Sequence, residues 1–302
     1  MKNPIIRWLA PAALALLLVA SGCEMNPTSA DDNEDQAAIL SLIGEEADFF
    51  DSDLFSAQGA EDPTTPAKVL ADIVPWRYGR QILGVDKDIS VTIDNTTEPA
   101  TAQVSWTVIR TGVFHIIDSS ATAYSKDFTD TMMKFATFER RGPVDSFRRG
   151  WRLVSISGTE IVSDGATVGI ESVNLSSTGG VDTTFSDVST LVMKENIQAF
   201  ASSDTVTITV TTNSTDDIVL LHYPSWMTGH QQRNHVRRQL INNGDGTYTG
   251  TWVVRGQVWR NGHRRNPPRH ITVDVLSHGT IYTDNEPYDS IAWGFVYLVA
   301  GQ

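Results

Sequence analysis

Eight arginines and six histidines crowd into residues 222–278 of a 302-residue chain. They are Arg233, Arg237, Arg238, Arg255, Arg260, Arg264, Arg265 and Arg269, with His222, His230, His235, His263, His270 and His278. The window has no Lys. Asp245 and Asp274 are its only acids, so it carries +6 inside a chain of net charge −13. Arginine matters here because its planar fork grips a carboxylate or phosphate at two points. Tyr223, Trp226 and Trp259 are interleaved with it. Arg260, Arg264, Arg265, Arg269 and Trp259 therefore form a candidate anion- or partner-binding face. Such a face suits an external acidic protein, glycan or lipid headgroup. It equally suits the acidic first half of the same chain. A third role is plain edge protection, in which exposed charge discourages strand-to-strand pairing.

Metal chemistry fits the histidines poorly. His230 and His235 are five apart, which neither a strand nor a helix puts neatly on one face. His263 and His270 flank Pro267-Pro268, and no Cys- or Asp-containing ligand motif accompanies them. No metal and no cofactor is expected. In the first half, His115, Asp118 and Tyr124 are the compact trio with types suited to proton transfer. Signatures of serine hydrolases, phosphate loops, dinucleotide folds and zinc proteases are absent.

The chain starts with Lys2 and Arg7, then runs uncharged from Trp8 to Gly22 through the apolar stretch 12–20. That stretch is too short for a membrane-spanning helix of ~20 residues and has the form of a secretory signal. Ala20-Ser21-Gly22 lead into Cys23, the only Cys in the chain, so no internal disulfide exists. This segment resembles the lipobox of bacterial lipoproteins, although Ala20 stands where that family usually has Leu. The resemblance implies lipidation of Cys23, a signal peptide over 1–22 and a membrane attachment through the N-terminal lipid. Glu24, in place of an Asp retention signal, points to the outer membrane. Without the leader the net charge is −15 over 280 residues, which argues against nucleic acid as a partner. Between Trp8 and Ala67 there is no cation, and twelve acids lie between Glu24 and Asp62. A solvated tether followed by an acidic helix face accounts for them.

The elements that must position these residues fall into two halves. After a tether over 23–33, Ala38, Ile39, Leu42, Ile43, Phe49 and Phe50 repeat at helical spacing, predicting a helix over 34–50. One or two shorter helices are expected over 67–83, broken at Pro75. From Ile89 the period changes to two. Strands are expected over 89–93, 101–117, 128–140 and 151–161, with Gly112 marking a bulge or bend. The opening helix, the long bent strand and the closing Gly150-Trp151-Arg152-Leu153-Val154-Ser155-Ile156-Ser157 resemble the nuclear-transport-factor-like cone. That resemblance implies an α+β domain over 34–163. Isomerases and dehydratases occur among relatives with this fold, which is the enzymatic alternative for His115, Asp118 and Tyr124.

Beyond Ser163 the composition shifts to Thr, Ser, Val and Gly. Thr205–Thr211 alternates cleanly, and Asn242-Asn243-Gly244-Asp245-Gly246 is a hairpin turn. Six or seven short strands ending in the stripe Ile291, Trp293, Phe295 and Tyr297 suggest a β-sandwich over 164–302. Asn243-Gly244-Asp245-Gly246-Thr247-Tyr248 followed by Trp252 resembles bacterial immunoglobulin-like modules. The expected protein is a lipid-anchored cell-envelope binding or structural protein, more a binder than an enzyme.

Overall fold

A computed structural model describes residues 30–50, 72–226, 233–256, 258–260, 263–265 and 268–300. Two helices come first, α1 (Ala30–Glu45) and α2 (Ala47–Phe50). Four long strands follow: β1 (Pro75–Asp94), β2 (Thr101–Asp118), β3 (Ala123–Arg140) and β4 (Trp151–Ser163). Next come β5 (Ile170–Ser177), β6 (Asp182–Phe185), β7 (Val192–Met193) and β8 (Ala199–Phe200). Then come β9 (Thr205–Thr212), β10 (Ile218–Trp226), β11 (Arg233–Gln239), β12 (Ile241–Asn242) and β13 (Thr247–Val253). The chain closes with β14 (Val258–Arg260), β15 (His263–Arg265), β16 (Arg269–Leu276), α3 (His278–Tyr282) and β17 (Ser290–Val299).

One antiparallel sheet dominates. Its strands run β1-β2-β3-β4-β17-β16-β10-β11, with β7 added beside β4 and β8 beside β17. The sheet curls until its two ends touch. There Arg237 on β11 donates to the Tyr78 carbonyl on β1 at 3.3 Å, and its guanidinium lies 4.9 Å from the Tyr78 ring centre. Alternation explains the inner face. Ala102, Val104, Val108, Phe114 and Ile116 on β2 are buried, opposite Phe128, Met132, Ala136 and Phe138 on β3. Ile39, Leu42 and Ile43 of α1 pack onto one end of that face, against Phe138 and Trp151. Buried Lys134 donates to the Phe49 carbonyl at 2.7 Å, and His270 to the Asp48 carbonyl at 2.7 Å. Both satisfy carbonyls of α2 that have no partner within so short a helix.

The outer face of β10, β16 and β17 makes a second core. Val219, Leu221, Val273, Trp293 and Phe295 pack against a five-stranded sheet ordered β12-β13-β9-β5-β6. Strands β10, β16 and β17 are thus buried on both faces.

The α+β cone expected over 34–163 is corrected. The described residues are mainly strand with three helices, and the first four strands continue into the second half. Ile291, Ala292, Trp293 and Gly294 of β17 pair with Val162, Ile161, Glu160 and Thr159 of β4. Periodicity reports which face of a strand is buried and is silent about which strand lies beside it. The helices expected around Pro75 are corrected too, for Pro75–Asp94 is one strand of 20 residues. Residues 67–71 lie outside the described ones. A bulge between Ile82 and Gly84 flips the phase of β1, so Tyr78 and Arg80 face inward at even numbers, and Ile89, Val91 and Ile93 at odd ones. Gly112 sits opposite this bulge. A β-carbon there would lie 2.1 Å from the Gln81 carbonyl oxygen and 2.8 Å from the Phe128 ring.

Candidate functional site

Charged side chains occupy the middle of the curled sheet. Arg80 reaches from β1 to Asp274 on β16, with Nη1–Oδ2 at 2.6 Å and Nη2–Oδ1 at 2.8 Å. Its Nε donates to the Tyr288 hydroxyl at 2.5 Å, which meets Ser290 Oγ at 2.8 Å. His222 Nε2 lies 3.4 Å from Asp274 Oδ2. Asp130 on β3 is fully buried, and neither of its oxygens has a hydrogen-bond partner among the described residues. Burial pushes the Asp130 carboxyl up to about 6, against the pull of Arg80. Burial would raise Asp274 likewise, but the Arg80 guanidinium overrides it and holds that carboxyl well below the usual range. Burial lowers the His222 imidazole despite its contact with Asp274. Two carboxylates pushed apart in this way have the electrostatics of an acid and base pair. Their complete burial turns the cluster toward the fold, tying β1 across the interior to β16 and β17.

No expectation from the sequence named this cluster. Asp274 alternates with Val273 and Val275, and its phase reads as solvent-facing until both sides of β16 are covered. Asp130 offered a fainter signal, a charge in the buried phase of Phe128 and Met132.

The acidic helix face has its own partners. Asp35, 1% exposed, accepts from Arg140 Nη2, from Arg149 Nε at 2.7 Å and from Trp151 Nε1 at 3.0 Å. Burial works against its ionisation, and these donors together bring its pKa below the usual value. Glu34 pairs with Arg149 at 2.5 Å, Glu45 with Arg148, and Glu46 with Lys194 at 2.8 Å. Asp31, Asp32, Asp35, Glu98 and Arg140 border a cleft of about 480 Å³.

Trp259 and Arg260 lie on β14, and Arg264 and Arg265 on β15; their side chains lie outside the described residues. The two strands pair with each other, Trp259 opposite Arg264 and Arg260 opposite His263. Arg269 is buried at the foot of this hairpin. It donates to the Arg255 and Gly256 carbonyls, both at 2.6 Å, and so fixes the chain leading into β14.

His115 is exposed on the outer face of β2, where Nε2 meets Gln81 Oε1 at 2.9 Å. Asp118 instead closes the β2–β3 turn. Its Oδ1 accepts from the backbone of Ser120 and Thr122 at 2.9 and 2.7 Å, and the Tyr124 hydroxyl stands 3.5 Å from Oδ2. The fold brings Asp118 and Tyr124 together and turns His115 toward Gln81. Cys23 lies outside the described residues. Among the described residues, no helix is long and apolar enough to cross a membrane. No known protein family, curated protein or solved structure matches this chain.

Proposed function

We propose that the chain is a lipid-anchored cell-envelope protein, held through Cys23 and non-enzymatic, which binds an acidic protein or glycan through its arginine hairpin. The placement of β14–β15 carries this reading. Among the described strands these two pair only with each other, while the large sheet ends at β1 and β11 and the small one at β12 and β6. Arg260, Arg264 and Arg265 therefore guard no edge of either large layer, and edge protection leaves them unexplained. Pairing with the chain's own acidic half is also weakened. Asp35, Glu34, Glu45 and Glu46 are engaged by Arg140, Arg148, Arg149 and Lys194.

Binding to immobilised polyglutamate and to a sulfated glycan tests the hairpin. Both interactions weaken several-fold as NaCl rises from about 0.05 to 0.3 M, because exposed charges are screened within ~8 Å at physiological ionic strength. Changing Arg264→Ala and Arg265→Ala together lowers binding and leaves the fold intact. Salt-independent binding, or a double variant that binds as the parent does, overturns the proposal. Intact mass of membrane-extracted protein checks the anchor: a mature chain beginning at Cys23 with added acyl mass.

A further inference from the structure

A second cleft, of about 340 Å³, opens where the two layers part beside β6. Its floor is apolar: Ile156 of β4, Ile197, Val192 of β7, and Phe295 and Val296 of β17. Phe185 at the end of β6 forms one wall, its ring 4.9 Å from that of Phe295. Thr183, Thr184, Ser186, Asn196 and Gln198 stand around this floor. The volume lies at the small end of the range for small-molecule sites, and an apolar base with a few placed polar groups is their usual make-up.

The walls are held in place. The segment between β6 and β8 crosses from one layer to the other and is tied down three times. Val192 and Met193 pair with β4, Leu298 N donates to the Gln198 carbonyl at 2.9 Å, and Lys194 pairs with Glu46. Gly158 lets this segment lie close. A β-carbon there would meet Val188 at 2.4 Å and the Gly294 carbonyl at 2.6 Å.

The lining also fixes the charge of the occupant. Asp187 is its one ionisable residue, and its own turn occupies both carboxylate oxygens. Oδ1 accepts from Ser189 N and Oγ at 2.8 and 2.6 Å, and Oδ2 from Thr190 Oγ1 at 3.2 Å. An anion finds no cation here, and a cation finds a carboxylate already engaged. What remains is neutral: the hydroxyl of Ser186 and the carboxamide of Asn196, for Thr184 Oγ1 accepts from Asn174 Nδ2 at 2.9 Å on the other face of β6. Ser186 and Asn196 are exposed. We infer that this cleft binds a neutral saccharide, with the C–H face of one sugar ring against Phe185 and its hydroxyls on Ser186 and Asn196. A sugar ring suits this lining because it offers an apolar face and several neutral hydroxyls together. The site is separate from the arginine hairpin.

Saturation-transfer NMR on the full chain, extracted in a detergent without sugar headgroups, tests this. The probes are glucose, galactose and N-acetylglucosamine, with glucuronic acid and glucosamine as charged controls. At least one neutral sugar shows transfer at millimolar concentration, and the charged controls show less. Thr183→Trp, on the face of β6 that carries Phe185, fills the cleft and abolishes the signal. Asn196→Ala, at an exposed position, weakens binding about tenfold, as expected for one lost hydrogen bond. The hairpin double variant binds sugar as the parent does, which separates this site from the proposed function. Absence of transfer from all three neutral sugars, a preference for the charged controls, or an unchanged signal in Thr183→Trp overturns the inference.

Discussion

Asp130 and Asp274 share one interior and meet opposite fates. Asp274 has the Arg80 fork and stays ionised; Asp130 faces Arg80, Arg110, Asp274 and Tyr288 without a hydrogen bond of its own, and its carboxyl rises to about 6. A carboxyl raised by folding stabilises the fold below its unfolded value near 3.8, and that contribution is lost as pH rises through 6. His222 works the other way. Its lowered pKa costs stability as pH falls below 6.5. Asp130→Asn removes one of these two opposed groups. At pH 7.5 the variant should be more stable than the parent by roughly 2–3 kcal/mol, since each pH unit between 3.8 and about 6 is worth about 1.36 kcal/mol. At pH 4 the gain should have vanished. Urea unfolding at both pH values reads this directly, and a difference that ignores pH would show that Asp130 does not titrate in this range.

Elements owe their shape to a few such positions. The bulge in β1 lets a 20-residue strand serve two interiors, the aromatic end near Tyr78 and the helix-covered end near Ile93. Gly112 makes room for it. Gly112→Ala drives a methyl into the Gln81 carbonyl and the Phe128 ring, and backbone cannot swing aside as a side chain can. The cost should be at least about 2 kcal/mol, toward the upper part of the range for overpacking. Faster amide exchange should concentrate in β1 between Arg80 and Val85. An alanine variant with parental stability would mean that β1 and β2 approach less closely than described. Alternation made the strands β2, β4 and β9 legible within one or two residues, and β3 apart from its first five, 123–127. It failed on β1 because the phase flips midway, and helical spacing then fitted the same apolar residues.

At the scale of the molecule, β17 joins what composition divides. It pairs with β4 on one side and β16 on the other, its odd residues entering the sandwich core and its even residues the curl. Removing either half would expose a long unpaired edge and strip one face of a doubly buried strand. The soluble chain should therefore unfold in a single cooperative transition. Calorimetry and near-ultraviolet circular dichroism should give one coincident midpoint. Two separated transitions, one for residues before Ser163 and one after, would show that the shared sheet does not couple them.

Sequence by itself determined the local matters: the opening helix, the faces of most strands and the basic window after residue 222. These depend on residue type and near-neighbour spacing, which the chain carries along its length. Only the tertiary structure decided that β4 receives β17, that the curl brings Arg80 over Asp274, and that the acids of α1 meet Arg140, Arg148 and Arg149. Arg80 and Asp274 are 194 residues apart. Their pairing follows from the twist and closure of a whole sheet, and from a strand covered on both faces, where a polar phase no longer means water.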